Sequence, residues 1–235
     1  QNPHFESESF GAYSPNANYA RQFLEHGVLS YENDKEPFYA LACVLVAFYH
    51  ANIKVCENSK ISKSYELPQN PSQAIKNLYA NAMIFLALLA FDMDNKEKAK
   101  AFLDEAGQGD LLYEAMKFRI LSALALSQQD TQNSKELALK ALIYPSYKNH
   151  LVLANIALNL QDLKTAKEQI QKAKELAKNE SQNAEILAVQ AYVCLKQNDK
   201  QKAKELAQNA LKFNQKLKVA IMVLLNLENE AIKKI

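Results

Sequence analysis

The sequence predicts an all-α protein, a solenoid of helical hairpins, on three observations. The first is a pattern that returns four times: an apolar run ends in a polar turn, with small residues at fixed distances beyond it. The sets are Asn95/Ala99/Ala106, Asp130/Ser134/Ala141, Asp162/Ala166/Ala173 and Asp199/Ala203/Ala210. Their Asx residues lie 35, 32 and 37 positions apart. A period of that length marks repeats whose units bury apolar surface against their neighbours. The second observation is composition: four Gly and six Pro in 235 residues, with Ala, Leu, Lys, Asn and Gln abundant, favours helix over strand. The third is an apolar fraction of 49%, ample for a core.

The elements follow in order. Residues 1–16 mix Ser, Pro, Gly and acids without a period and read as an extended arm, which Phe10 and Tyr13 could pin to the helices. A helix over 17–31 and the turn Glu32-Asn33-Asp34 come next. A long helix then covers 37–56, with Pro37 tolerable in its first turn. This hairpin is repeat-like in shape but lacks the Ala pair. Residues 57–69 read as a polar loop, and Asn70-Pro71 as an N-cap before a Pro-started helix. Residues 17–69 thus form an N-terminal hairpin and loop. They read as part of one continuous stack, with a separate small unit as the alternative.

Residues 70–217 hold the repeats, with copies at 80–110, 115–146, 147–183 and 184–217. In each copy the Asx side chain can accept from backbone N–H groups left free at the start of the second helix. The small residues, seven apart, share one face of that helix and let the first helix approach closely. Residues 218–235 form a last helix. Its apolar residues Ala220, Ile221, Val223, Leu224, Leu225 and Leu227 can cover the final repeat as a cap.

These residues resemble the tetratricopeptide repeat over about residues 80–217. The paired small residues and the Asx turn carry the resemblance. No copy has the family's Trp, its turn Gly is Gln, Asn or Asp here, and only Pro145 stands near the expected Pro. The match is to a divergent member, and a general helical solenoid is the alternative. The resemblance implies a right-handed hairpin solenoid whose first helices line a concave groove for a partner peptide or helix. Carried over by position, that groove would show Arg119, Lys148, Asn155, Asn159, Tyr192 and Lys196. Ile84 and Leu88 stand where the family's carboxylate clamp needs polar residues, which argues against a chaperone C-terminus as partner.

The net charge of +2 gives no strong field toward nucleic acid or membrane. The charge is uneven, however: residues 160–218 carry twelve Lys and seven acids, and residues 1–60 seven acids and four Lys or Arg. Solvated helix faces explain this simply, and an acidic partner is the sharper reading. The apolar runs 38–49 and 78–91 are shorter than the roughly 20 residues a bilayer needs and read as buried helices. Cys43 and Cys56 are expected on one helix, about 20 Å apart, too far to bridge. With Cys194 they read as buried small hydrophobes.

Catalysis finds no motif: no phosphate loop, no paired Cys motif and no His pair at ligand spacing. His50, in an apolar helix with Cys43, reads as a satisfied core histidine rather than a base. The expectation is a non-enzyme with no cofactor, metal or small-molecule substrate. Its function is to bind protein partners, in an assembly such as a bacterial envelope or secretion complex. A self-associating structural module is the second reading. A nucleic-acid-associated regulator is weaker, since few aromatics interleave the lysines. The start at Gln1 rather than Met favours an exported protein, with a cytoplasmic one as the alternative.

Overall fold

The computed structural model describes residues 16–34, 36–57 and 63–232. These form eleven α-helices and one two-stranded ribbon, in two compact units divided between Asp110 and Leu111. The first unit contains α1 (Ala17–Asp34), α2 (Pro37–His50), β1 (Lys54–Glu57), β2 (Lys63–Glu66), α3 (Gln73–Asp92) and α4 (Lys96–Glu105). The second contains α5 (Leu111–Ser127), α6 (Thr131–Lys140), α7 (Tyr147–Asn159), α8 (Leu163–Leu176), α9 (Glu180–Lys196), α10 (Lys200–Phe213) and α11 (Lys218–Ile232). A single 3-10 turn, Ala141–Ile143, follows α6. Helices pair in sequence order as hairpins, so the fold is of the helical-hairpin solenoid class.

One turn geometry is used four times. The residue before each Asx adopts a left-handed conformation: Asp94 (φ 61°), Gln129 (65°), Gln161 (60°) and Asn198 (61°). The Asx N–H then reaches the carbonyl five residues back: Asn95 to Ala90 at 2.8 Å, Asp130 to Ala125 at 3.0 Å, Asp162 to Ala157 at 2.8 Å, and Asp199 to Cys194 at 2.9 Å. Its side-chain oxygen accepts the N–H three residues on, from Lys98, Asn133, Thr165 and Lys202, at 3.0–3.2 Å. Two adjacent residues thus close one helix and open the next.

The small pairs lie in the helix-pair contacts. None of the eight is more than 3% exposed. In α5/α6, serines replace alanine on both helices. Ser122 Oγ donates to the Ser134 carbonyl and Ser134 Oγ to that of Ser122, each at 2.8 Å. The hydroxyls are satisfied by the backbone they pack against, so burying them is tolerated.

The first hairpin departs from expectation in an instructive way. It does have the pair: Ala40 and Ala47, both 0% exposed, lie four and eleven residues after Glu36. Glu36 is the N-cap of α2 and makes no side-chain cap bond, so the spacing persists where the Asx is missing. Opposite stands Gly27, where an added Cβ would fall 2.7 Å from Cys43 Cβ and 3.3 Å from the Ala40 carbonyl oxygen. The helix expected over 37–56 also ends early. Asn52 takes a left-handed φ of 55°, and Ile53 N–H returns to the Phe48 carbonyl at 2.9 Å. The chain then enters β1, and the expected loop contains β2, paired antiparallel with Val55 opposite Tyr65. Cys43 and Cys56 therefore do not share a helix.

Tyr65 anchors the ribbon, with its ring 4.9 Å from Phe48 and 6.4 Å from Phe102. Ser72, not Asn70, caps α3, accepting from Ile75 N–H at 3.3 Å. At 20 residues, α3 is long and apolar enough to cross a membrane, unlike the shorter run read from sequence. The fold buries 78% of an 18-residue stretch of it, which accounts for its apolarity. Asn81, the polar break in the run, trades two hydrogen bonds with Asp110, at 2.7 and 2.9 Å. The expected arm lies outside the described residues up to Asn16. The N–H of Asn16 donates to the His50 carbonyl at 2.9 Å.

In α11, Ala220 and Val223 are fully buried against α9 and α10, while Ile221 and Leu225 remain exposed. The helix covers the last hairpin with one face. Residues 233–235 of the expected helix lie outside the described residues.

Two stability outcomes follow. Gln161→Gly should stabilise by about 0.5–1 kcal/mol, because relief of the left-handed cost exceeds the entropy cost of Gly. A lowered denaturation midpoint would show that the turn is not strained. Ala166→Leu and Gly27→Ala should each destabilise by roughly 1–3 kcal/mol through overpacking. Unchanged chemical denaturation of both would remove the close helix contacts.

Candidate partner-binding faces

In the second unit α5 packs on α7 and α7 on α9, so the first helices of three hairpins form one layer. The second helices α6 and α8 each pack on the first helix of the next hairpin. All six expected groove residues belong to the first-helix layer: Arg119 on α5, Lys148, Asn155 and Asn159 on α7, and Tyr192 and Lys196 on α9.

Their local roles differ. Arg119 is half-buried, with Nη1 3.5 Å from Asn149 Oδ1. Asn149 is itself structural, donating to the carbonyls of Ala141 at 2.9 Å and Tyr144 at 2.8 Å across the hairpin junction. The ammonium of Lys148 stands 5.7 Å from the Tyr147 ring centre. Asn155 and Asn159 are one turn apart, and Asn159 donates to the Asn155 carbonyl at 3.0 Å. Tyr192 is half-buried and packs against both hydrophobic clusters of α9, one shared with α7 and α8, the other with α10 and α11. Lys196 lies one turn on, 5.3 Å from the Tyr192 ring centre. The pair offers an aromatic edge and a cation together.

Two concavities have no counterpart in the expected site. One, in the first unit, is an apolar cleft of about 440 Å³ lined by Phe38, Leu41, Leu86, Leu89 and Met93 among others. The other, in the second unit, is a groove of about 540 Å³ between α8, α9 and α10. Each draws residues from three or more elements, and no single helix pattern reports such a convergence.

Among the described residues, no three of His, Cys, Asp and Glu come together as a metal site. His50 is not the satisfied core histidine expected. Its ring stacks on Phe23 at 5.5 Å and 7°, and its Nδ1 is buried without a hydrogen-bond partner. His150 does fit that description, with Nδ1 2.7 Å from Gln169 Oε1. Tyr31 and Tyr79 are non-titrating anchors at ordinary pH. Burial first, then the charge of Asp92 and its hydrogen bond, pushes the Tyr31 phenol far up; burial, then Glu105, does so for Tyr79.

No protein-family model matches the chain, and no curated protein matches it. Among solved structures it is similar to the crystal structure of the APC/C hetero-tetramer Cut9-Hcn1. The TM-score is 0.52 at 14% identity, over 89% of this chain and 40% of that one. The chain spans less than half the length of that neighbour, and the likeness concerns the fold alone. It agrees with the tetratricopeptide-like hairpin architecture.

The Asp162 cap gives a pH test. Hydrogen bonds from the Thr165 side chain and N–H hold its carboxyl below the usual carboxylate range. A carboxyl lowered in the folded state stabilises above its unfolded value, and that contribution is lost as pH falls through the folded value. Asn also caps but does not titrate. Any advantage of wild type over Asp162→Asn at neutral pH should therefore vanish on acidification below the carboxylate range. Paired denaturation series showing a pH-independent difference would refute the charged cap.

Proposed function

We propose that the protein is a non-catalytic scaffold that binds a peptide or helix of a protein partner on its first-helix layer. One observation carries this reading. Neighbouring helices α7 and α9 each present a one-turn pair, Asn155 with Asn159 and Tyr192 with Lys196. Hairpin solenoids curve by small rotations per repeat and use the extended concave surface that results. On such a surface Asn amides give adaptable hydrogen bonds, and Tyr gives contact area at low entropy cost. Lys196 adds a charge suited to a carboxylate.

A second reading, self-association through the first unit, is favoured by the exposure of Phe38 (79%) and Met93 (65%) beside the apolar cleft. Light scattering over a concentration series separates the two, since only self-association moves the mass.

The test of the scaffold reading compares two triple variants. Asn155→Ala with Asn159→Ala and Lys196→Ala removes three of the layer's polar groups. Lys172→Ala with Lys178→Ala and Lys212→Ala removes charge elsewhere. Both should fold, because exposed polar sites change stability by only about 0.5 kcal/mol each. Calorimetry against a partner recovered by pull-down should show a several-fold loss for the first triple and little for the second. The Lys196 share should shrink with added salt. Equal losses would mean diffuse charge carries the binding.

A further inference from the structure

The groove between α8, α9 and α10 has a composition the first-helix layer lacks. Its lining includes the ammonium-bearing side chains of Lys167, Lys174 and Lys202, with Gln171, Gln190 and Gln197 between them. The apolar part is Ile170, Leu187, Val193 and Leu206, with Cys194. No carboxylate lines it. Three nearby acids have local tasks: Glu175 accepts from Gln171 and Glu205 from Gln201 along their own helices, and Asp199 caps α10 through Lys202 N–H. None of the three lysines makes an ion pair with a described residue. The Cys194 thiol is raised, by burial first; the Lys202 ammonium lowers it, the Asp199 carboxylate raises it and the Lys167 ammonium lowers it.

We propose that this groove is a second docking surface, for an acidic protein segment that carries an aliphatic anchor. Charge complementarity selects the acidic segment: three cations and no carboxylate line the concavity, which favours carboxylates and disfavours a basic partner. The floor selects the anchor, because Leu or Ile can fill the space over the partly exposed Leu187 and Leu206 and remove that surface from water. The glutamines can donate to a segment's backbone carbonyls or carboxylates. Single-stranded nucleic acid is disfavoured because the groove offers no aromatic ring on which a base could stack. The surface uses α8 and α10 together with residues of α9 other than Tyr192 and Lys196. It stands whether or not the first-helix layer binds a partner.

The test uses the full chain and three fluorescein-labelled probes: a short peptide repeating Glu-Glu-Leu, its Gln-Gln-Leu counterpart, and a single-stranded oligodeoxynucleotide of matched charge. Fluorescence anisotropy should show saturable binding of the acidic peptide, weakening with salt, and about ten-fold or more weaker binding of the Gln peptide. The variant Lys167→Gln with Lys174→Gln and Lys202→Gln should lose the acidic peptide by about five-fold or more. Lys172→Gln with Lys178→Gln and Lys212→Gln, equal in charge change, should lose less than about two-fold. Far-UV circular dichroism and melting establish that both variants fold. As a check of the floor, Leu206→Gln should weaken the acidic peptide, and a Glu-Glu-Gly probe should bind more weakly than Glu-Glu-Leu. No binding of the acidic peptide, equal losses in the two triples, or an oligonucleotide that binds as tightly and depends on the same lysines would each overturn the proposal.

Discussion

The hairpins depend on how closely two helices can approach where the chain reverses. In the second unit this approach is set by residues without long side chains: Ser122 against Ser134, and the fully buried Ala154, Ala166 and Ala173 in the next hairpin. At such a spacing a single added methyl must displace backbone or a neighbouring Cβ, which close-packed interiors resist. The Asx turn serves the same constraint from the other end. A left-handed residue, followed by an N–H that reaches five residues back, reverses the chain with few residues to spare, so the helices begin adjacent. The cap oxygen then satisfies one of the N–H groups that a helix start leaves without an intrahelical partner.

Much of this was legible because both devices leave marks in sequence. A small residue among large apolar ones stands out on a helix, and Asx at a fixed distance before it stands out in a polar turn. Where one mark is missing, the reading fails. Ala40 and Ala47 repeat the spacing, but Glu36 replaces the Asx, and α2 is apolar on so many sides that its alanines give no contrast. The end of α2 failed for a related reason. Asn52 stops the helix by adopting a left-handed φ, and an isolated Asn carries that capacity without announcing it. The ribbon was hidden too. Its strands are four residues each, and its anchor, Tyr65, is held by Phe48, Phe102 and the Tyr79 hydroxyl 3.1 Å from its carbonyl, all distant in sequence.

The candidate faces show the same boundary between local and non-local information. Periodicity alone assigns Asn155, Asn159, Tyr192 and Lys196 to first helices, and the structure places them there. It does not report that Arg119 lies against Asn149, or that Tyr192 is shared by two hydrophobic clusters. Those contacts make two of the six residues partly structural. Asn155, Asn159 and Lys196 are the better reporters of binding for that reason, because truncating them removes less packing.

The chemistry of the second unit divides by layer. Its first helices carry the large apolar residues that build the core, such as Leu151, Leu158, Ile186 and Val189, leaving only a few positions for polar groups. Its second helices α8 and α10 bury narrow stripes, chiefly Ala166, Ile170 and Ala173, and Ala203, Ala207 and Ala210. A narrow buried stripe leaves most of the helix surface to solvent, and lysine fills it at little cost to helix propensity. The excess of lysine in residues 160–218 is therefore first a consequence of solenoid geometry. It acquires a direction only where two such helices flank a recess. At α8 and α10 the recess is floored by aliphatic side chains, while Glu175, Glu205 and Asp199 are engaged along their own helices or at a cap. Uniform solvation would intersperse both signs around that recess, and a lining of three lysines with no acid is the arrangement that an acidic ligand would complete.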